Sequence, residues 1–288
     1  MKKDKLINFS ATVPDIPSLP VVATRILQII ASGNSSLEDL KKVISMDQAF
    51  SSRLLKVANS PYYRASHTVS DISYAITRIG FTTVQALVFA ISLRDLRRSS
   101  NKTDVALWEH SLAVSVASGL IARDLGLIPS GEAFIFGLLH DIGKVVINLS
   151  MRKEFAEVIR IVQQEKVPFV EAENRILGFD HGDMGKYVAQ QWNLPDDMVF
   201  AIANHHEPDI MTEVDSADLK RKTLIIKAAD ALCASLEIGL SHGMVLSAQE
   251  WQFVKLGSAK RRDALLAIIQ DEYQSYRSFI TGQPSRRT

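Results

Sequence analysis

The sequence has a single cysteine and almost no net charge, and both features limit what the protein can be. Cys233 has no second cysteine with which to form an intramolecular disulfide, so a reducing compartment is the simplest fit. Lysine and arginine number 33 against 32 aspartates and glutamates, which gives a formal net charge of +1. This balance argues against binding to nucleic acid or anionic membranes through bulk charge, although it does not exclude binding through a local basic patch.

Long apolar runs and strand-like patterns are also lacking. The basic start of the chain is followed by only two apolar residues, Leu6 and Ile7, which is too short for a signal peptide. No uninterrupted apolar stretch has the length of a membrane helix, so the sequence predicts a cytoplasmic protein without a membrane partner. Period-two alternation is nearly absent and no internal repeat is seen, so the chain is predicted to be all-α.

Apolar residues recur instead at helical spacing between start and stop signals, over a length sufficient for two subdomains. The short polar segment at 101–104, Asn-Lys-Thr-Asp, is the best boundary between them, because Asp104 is a good helix cap. We therefore predict an N-terminal helical lobe over residues 1–100, a second helical lobe over 101–240 and a C-terminal helical extension over 241–288.

One apolar stretch, from Phe134 to Lys144, is predicted to be a helix that carries His140 and Asp141 side by side. Burying an imidazole and a carboxylate is costly unless both are satisfied. A metal ion is one solution, and a network of hydrogen bonds is the other. Because neighbours on a helix point about 100° apart, we expect the two side chains to face different partners.

Other histidines and one carboxylate have similar settings. His110 lies at the start of a long helix, His181 at the start of a later one, and Asp230 in an apolar helical stretch. His205 and His206 form a second adjacent pair. Imidazole and carboxylate without thiolate suit divalent iron, manganese, zinc, nickel or magnesium rather than a structural zinc clamp.

The order of these residues resembles the HD superfamily of metal-dependent phosphohydrolases, in which a first histidine precedes a His-Asp pair, further histidines and a distal aspartate. The resemblance implies that a first metal is held by His110, His140, Asp141 and Asp230. It implies that the extra ligands of the dinuclear branch, which cleaves cyclic dinucleotides, are His181, His205 and His206. Lys144 matches the lysine that faces the substrate phosphate, so Asp141 and Lys144 would be catalytic if the site is active.

A longer set of motifs resembles the HDOD domain, a regulatory relative of the HD hydrolases found in bacterial signalling proteins. The resemblance covers roughly residues 14–235 and includes Ile16-Pro-Ser-Leu-Pro20, Leu54-Leu-Lys-Val-Ala-Asn-Ser-Pro61, Phe136-Gly-Leu-Leu-His-Asp-Ile-Gly-Lys144, Gly178-Phe-Asp-His181 and Trp192-Asn-Leu-Pro195. It implies two packed helical lobes, the second an HD-type bundle, and a non-catalytic signalling role.

We therefore predict a signal-transduction module with one or two divalent metal ions in an HD-like pocket that serves for binding rather than turnover. Its partner would be a signalling protein or a nucleotide. The alternative is a metal-dependent phosphohydrolase or phosphodiesterase acting on a nucleotide or cyclic dinucleotide, and a third is a purely structural module. After His206 the chain reads Glu-Pro-Asp-Ile-Met, so the Gly-Tyr-Pro element of cyclic-dinucleotide phosphodiesterases is missing.

Several polar residues near these motifs receive simpler interpretations. Glu109 and Asp183 could orient ligand imidazoles, but the favoured interpretation is that both are exposed carboxylates on helices. A basic cluster is read as favourable charge at a helix C-terminus, and its members are Arg94, Arg97, Arg98 and Lys102. For the run Lys260-Arg-Arg262, contact with a partner is kept as an alternative interpretation. No role is assigned to His67 or His242.

Overall fold

The computed structural model describes residues 18–31, 36–46, 48–59, 67–94, 101–126, 128–208, 210–240 and 245–281. Within these segments all of the regular secondary structure is helical, which confirms the predicted all-α class. Contacts divide the chain into two compact units, one of residues 19–96 with 274–288 and the other of residues 1–18 with 97–273. The predicted domain limits of 1–100, 101–240 and 241–288 stay a prediction.

The unit that begins at residue 19 has an apolar core. Its helices are α1 (Val21–Ala31), α2 (Leu37–Ser45), α3 (Gln48–Ala58), α4 (Ile72–Ile79) and α5 (Phe81–Arg94). Ser36 and Asp71 cap α2 and α4 by accepting hydrogen bonds from the backbone N–H groups of Asp39 and Tyr74, as their sequence positions predict. The large side chains that are fully buried in this core are those of Ile26, Leu40, Ile44, Leu54, Ile76 and Phe89.

The unit that begins at residue 97 contains the predicted ligands. Its helices are α6 (Lys102–Leu125), α7 (Ser130–Leu139), α8 (Ile142–Ser150), α9 (Arg152–Glu165), α10 (Phe169–Ile176), α11 (His181–Gln191), α12 (Asp196–Asn204), α13 (Ile210–Glu213), α14 (Ala217–Ser235), α15 (Ala248–Phe253) and most of α16 (Ala259–Thr281). Helix α6 packs against α7 and α14, whereas α11 packs against α8 and α12. Because α12 also packs on α14, these helices surround one common interior.

Two segments of this unit are long and apolar enough, by length and composition, to cross a membrane. They are Lys102–Leu125 and Ser130–Ser150. In the structure 78% and 83% of their most apolar windows are buried inside the protein. Their apolar character is therefore used in packing, and cytoplasmic localisation stays a prediction.

Some predictions concern residues outside the described segments. The sequence predicts a loosely held arm over residues 1–15, a helix cap at Asp47 and a frayed tail from Gly282, and all three lie outside these segments. So do residues 60–63 of the helix end predicted at Asn59-Ser-Pro-Tyr-Tyr63, as well as Arg97, Arg98 and His242.

Candidate metal centre

The first predicted ligand, His110, is buried in the middle of α6. This helix begins after Asn101, whose side chain accepts a hydrogen bond from the backbone N–H of Asp104 over 2.7 Å. His110 is 1% exposed, and its neighbours along the helix are apolar or small. The predicted long helix is thus confirmed, but its cap is Asn101, whereas Asp104, expected to be the cap, lies in the first turn. The helix carries an imidazole into the interior of the unit.

The continuous helix predicted through His140 and Asp141 is wrong. Helix α7 ends at Leu139, a turn follows at His140 and Asp141, and α8 begins at Ile142. The Asp141 backbone has φ −100° and ψ 19°, outside helical geometry. The break turns both side chains into the interior, so that His140 Nε2 lies 3.3 Å from Asp141 Oδ2. The two side chains are neighbours there, but they belong to different groups of possible metal ligands, in line with the expectation that they face different partners.

His181 reaches the same interior from the first turn of α11. Asp180 caps this helix in a reciprocal capping box with Asp183. At Gly143 on α8 the two helices touch through their backbones, because a Cβ there would lie 2.0 Å from the carbonyl oxygen of His181. Only glycine permits this approach, which places His181 Nε2 3.4 Å from Asp141 Oδ1.

The remaining predicted ligands come from the end of α12 and from α14. His205 and His206 lie in the turn after Asn204, where His205 is fully buried and His206 is half-buried. Asp230 is 4% exposed on α14, and its Oδ1 lies 3.0 Å from His110 Nε2. The structure thus brings together all seven residues that the sequence singled out as metal ligands.

These seven residues form two groups that meet at Asp141. Ligand atoms of His110, His140 and Asp230 all lie within 4.8 Å of one another, as do those of Asp141, His181, His205 and His206. Asp141 Oδ2 faces the first group, 3.3 Å from His140 Nε2, whereas Oδ1 lies 3.4 Å from His181 Nε2. The resemblance placed Asp141 with the first group, but its carboxylate contacts both.

The imidazoles are held in the orientation that metal ligands adopt. The Nδ1 atoms of His140 and His205 bond to the carbonyl oxygens of Gly137 and Ile202, over 2.7 and 2.8 Å. An acceptor at Nδ1 keeps the proton there and leaves Nε2 with a lone pair. The buried Nε2 atoms of His140, His181, His205 and His206 have no hydrogen-bond partner in the described chain, and His110 Nε2 has the Asp230 carboxylate at 3.0 Å. Such a set of unsatisfied acceptors fits a divalent cation, since buried polar atoms are otherwise paired.

Glu173 is part of this arrangement and was missed by sequence reasoning. It is fully buried on α10, where its Oε2 accepts hydrogen bonds from Nδ1 and from the backbone N–H of His181, over 2.6 and 2.9 Å. One sequence signal could have revealed it, because Phe169, Ala172 and Glu173 share the buried face of α10 at helical spacing. Asp183, weighed for such a role, instead completes the capping box of α11, and Glu109 is only half-buried.

Lys144 is the one cation inside the cluster among the described residues. Its ammonium donates to Asp141 Oδ2 over 2.8 Å and lies 4.6 Å from the centre of the Phe169 ring. Burial opposes the charged form, but the negative charges of Asp141, Asp230 and Glu173 prevail and raise the pKa of Lys144. The lysine therefore stays protonated at neutral pH.

The pKa shifts of the other groups differ from residue to residue. Burial opposes the charged form of His140, but the carboxylates of Asp141 and Asp230 prevail and raise its pKa. Burial lowers the pKa of His205 to about 4 against the opposing effect of Asp141. Burial would raise the pKa of Asp230, but His110 and His140 outweigh it and lower that pKa to about 2. At neutral pH the protein therefore offers a neutral imidazole at His205 and an ionised carboxylate at Asp230, which are the forms that bind metal.

Comparison with known proteins relates this architecture to one family. The family model of the HDOD domain matches residues 16–208, which is more than half of the chain. The chain belongs to the HDOD family. Asp230 and the helices from α13 onward lie beyond the matched part of the HDOD domain.

Solved structures share the HDOD fold at low sequence identity. An HDOD domain protein of unknown function from Geobacter sulfurreducens is 22% identical, with 98% of each chain covered and a TM-score of 0.77. A Marinobacter aquaeolei VT8 protein, provisionally described as a signal transduction protein, is 20% identical, with a TM-score of 0.80 over 98% of this chain and 65% of that one. At this identity the likeness establishes the fold.

Curated relatives are longer proteins. An uncharacterized protein from Treponema pallidum (strain Nichols) is 28% identical over 67% of this chain and 38% of its own length. A ribonuclease Y from Aquifex aeolicus (strain VF5) is 30% identical over 48% of this chain and 18% of its own length. The chain thus spans less than half the length of these relatives.

Proposed function

We propose that this HDOD protein is a signal-transduction module whose buried His/Asp cluster binds one or two divalent metal ions without turning over a substrate. The observation that carries the proposal is the convergence of unsatisfied imidazole Nε2 atoms around the Asp141 carboxylate. A purely structural network would pair its members with one another, because a half-satisfied polar network is worse than an apolar core.

The separations between the ligand atoms support a metal in each group. Donors about 2.1 Å from a common ion are about 3.4 Å apart in tetrahedral coordination, and about 3.0 Å apart when adjacent in octahedral coordination. Asp141 Oδ1 lies 3.4 Å from His181 Nε2 and 3.7 Å from His205 Nε2. In the other group His110 Nε2 lies 3.0 Å from Asp230 Oδ1. Iron, manganese, nickel, zinc and magnesium remain the candidate ions for these donors.

Burial of the cluster favours binding over turnover. Of the seven predicted ligands only His206 is half-buried, and the others are at most 4% exposed. A phosphodiester would have to reach the ions past His206, where the chain also lacks a Gly-Tyr-Pro element. The site is therefore better suited to holding an ion than to admitting a nucleotide-sized substrate. We infer that the output is an interaction with a signalling protein.

The second candidate is a metal-dependent phosphohydrolase or phosphodiesterase, and the position of Lys144 favours it. This buried ammonium lies beside the carboxylate shared by both groups, where it could stabilise negative charge on a phosphate. A bound divalent ion would supply an acidic water for hydrolysis near neutral pH. Asp141 would then be needed to hold the ions and to keep Lys144 in place.

Metal analysis of the purified full chain tests the proposal. After supplementation with iron, manganese, nickel, zinc or magnesium, we expect one or two equivalents of metal that are lost in Asp141→Ala. Protein that carries no metal in any of these preparations would leave only the structural alternative. A screen with nucleotides, phosphodiesters and cyclic dinucleotides separates the first two candidates. Turnover that disappears in folded Asp141→Ala would overturn the leading choice.

A further inference from the structure

A second pair of buried charges lies outside the ligand cluster, between Lys227 on α14 and Glu250 on α15. Lys227 Nζ donates to Glu250 Oε1 over 2.6 Å, and the two residues are 2% and 3% exposed. Removing two charges from water is costly, and replacing such a pair by apolar residues is often neutral or stabilising. A stability role alone is thus a weak explanation for the Lys227–Glu250 pair.

Lys227 also contacts the turn that carries two of the predicted ligands. Its ammonium donates to the carbonyl oxygen of Glu207 over 2.9 Å, and Glu207 directly follows His205 and His206. The turn is closed by a hydrogen bond from the Glu207 N–H to the carbonyl oxygen of Asn204, over 3.0 Å. One ammonium therefore holds the backbone immediately after the histidine pair.

The same lysine is linked to the other ligand group through α14. Lys227 precedes Asp230 by three residues, so both lie on neighbouring positions of one helix face. Asp230 belongs to the group with His110 and His140, whereas His205 and His206 belong to the group with His181. Lys227 thus fixes the turn of one group to the helix that carries a ligand of the other.

Glu250 is itself held firmly, by a helix that lies beyond the matched part of the HDOD domain. Its Oε2 accepts a hydrogen bond from the N–H of Ser247 over 2.7 Å, and the Ser247 hydroxyl accepts one from the N–H of Glu250. This capping box begins α15, which is followed by the buried side chains of Val254 and Leu256. The carboxylate that anchors Lys227 is therefore fixed from both sides.

We propose that Glu250 and Lys227 are positioning residues that hold the His205–His206 turn at metal-binding distance from Asp141, so that α15 controls the metal affinity of the cluster. The inference rests on the proposed metal-binding function. It predicts that a change at α15 is transmitted to the ions although no residue of α15 is among the predicted ligands.

The test compares Lys227→Met and the double variant Lys227→Met/Glu250→Gln with wild type, all as the full chain. The double variant avoids leaving a buried carboxylate alone, and the glutamine keeps an acceptor for the Ser247 N–H. The matched control is Lys222→Met on the same helix. Lys222 contacts Glu132, Asp197 and Asp218, none of which belongs to the turn. Titration calorimetry with Mn²⁺ gives the Kd, and hydrogen exchange of the metal-free proteins follows the amides of residues 205–207.

We expect both variants at Lys227 to raise the Kd for Mn²⁺ by about 10- to 100-fold, which is the usual effect of mutating a residue that orients a metal ligand. Hydrogen exchange at the amides of residues 205–207 should be faster. Lys222→Met should leave both readouts as in wild type. An unchanged Kd in the folded double variant would overturn the inference, because a merely structural pair affects stability alone. If wild type binds none of the candidate metals, the proposed function is refuted. Hydrogen exchange at the amides of residues 205–207 would still show whether the Lys227–Glu250 pair holds the His205–His206 turn.

Discussion

The two compact units differ in what they bury. In the described part of the unit formed by residues 19–96 and 274–281, the buried polar side chains are those of Gln85 and Ser92. Among the described residues of 97–273, seven charged side chains besides the histidines are buried, namely Asp104, Asp141, Lys144, Glu173, Lys227, Asp230 and Glu250. The first core needs nothing more than packing, whereas the second contains groups that packing alone would not retain. We therefore expect that stability and the proposed metal binding can be changed separately.

The largest expected effect comes from the residue that both ligand groups share. Asp141→Asn preserves the shape of the side chain but removes its charge, so we expect Mn²⁺ binding at both groups to weaken by more than about 100-fold. Asp230→Asn, in contrast, should weaken only the group that contains His110. Titration calorimetry with stoichiometry distinguishes the two variants. If Asp141→Asn and Asp230→Asn lost the same number of bound ions, Asp141 would not be a ligand shared by both groups.

A core substitution in the apolar unit should have the opposite profile. Leu54 is fully buried on α3, so Leu54→Ala is expected to lower the free energy of unfolding by about 2–5 kcal/mol. The Kd for Mn²⁺ of the folded fraction should stay as in wild type, because no predicted ligand lies in this unit. Urea unfolding followed by circular dichroism gives the first quantity and calorimetry the second. A weakened Kd would contradict the separation of the two roles.

Glu173 offers a smaller and more specific test. Glu173→Gln removes the charge that orients His181, and we expect the Kd for Mn²⁺ to rise by about 10- to 100-fold. The control is Glu171→Gln on the same helix, whose carboxylate pairs with Arg175 at the surface. An effect of Glu171→Gln as large as that of Glu173→Gln would point to a loss of α10 rather than of His181 orientation.

The smallest expected effect has the opposite sign. The Lys144 ammonium holds Asp141 Oδ2 and repels an incoming cation. Lys144→Met should therefore tighten Mn²⁺ binding, by roughly tenfold at most. The measurement is the same titration, with Lys186→Met, on α11, as a control away from the cluster. Weaker binding in Lys144→Met would mean that the lysine serves mainly to position Asp141.

Local signals in the sequence predicted much of the fold. Short polar side chains before helical periodicity predicted caps at Ser35-Ser36 and at Ser70 or Asp71, and Ser36 and Asp71 are the caps in the structure. The seven predicted ligands were found because imidazoles and carboxylates in apolar surroundings are rare enough to notice. Their convergence is a property of the fold, which the family resemblance implied and periodicity alone did not give.

Other parts of the site depend on contacts that no local pattern encodes. The stretch through His140 and Asp141 keeps its apolar periodicity across the break, so a continuous helix was the natural prediction. Glu173 contacts His181 across a loop, and Lys227 contacts Glu250 from 23 residues away. Lys227 and Glu250 do not differ locally from surface charges, and the one local sign of Glu173 is its place on the buried face of α10, so these contacts become visible only when the helices are packed.

Because the backbones of α8 and α11 touch at Gly143, the distances between ligand atoms in the cluster depend directly on the spacing of these two helices. Asp141 immediately precedes α8, His181 begins α11, and no side chain lies between the two helices at that point to absorb a displacement. A shift of either helix is therefore passed directly to the 3.4 Å separation between the Asp141 carboxylate and the His181 imidazole. If the cluster binds an ion as proposed, linkage requires that an ion preferring one separation favours one helix spacing, and that a partner altering the spacing changes the affinity for the ion.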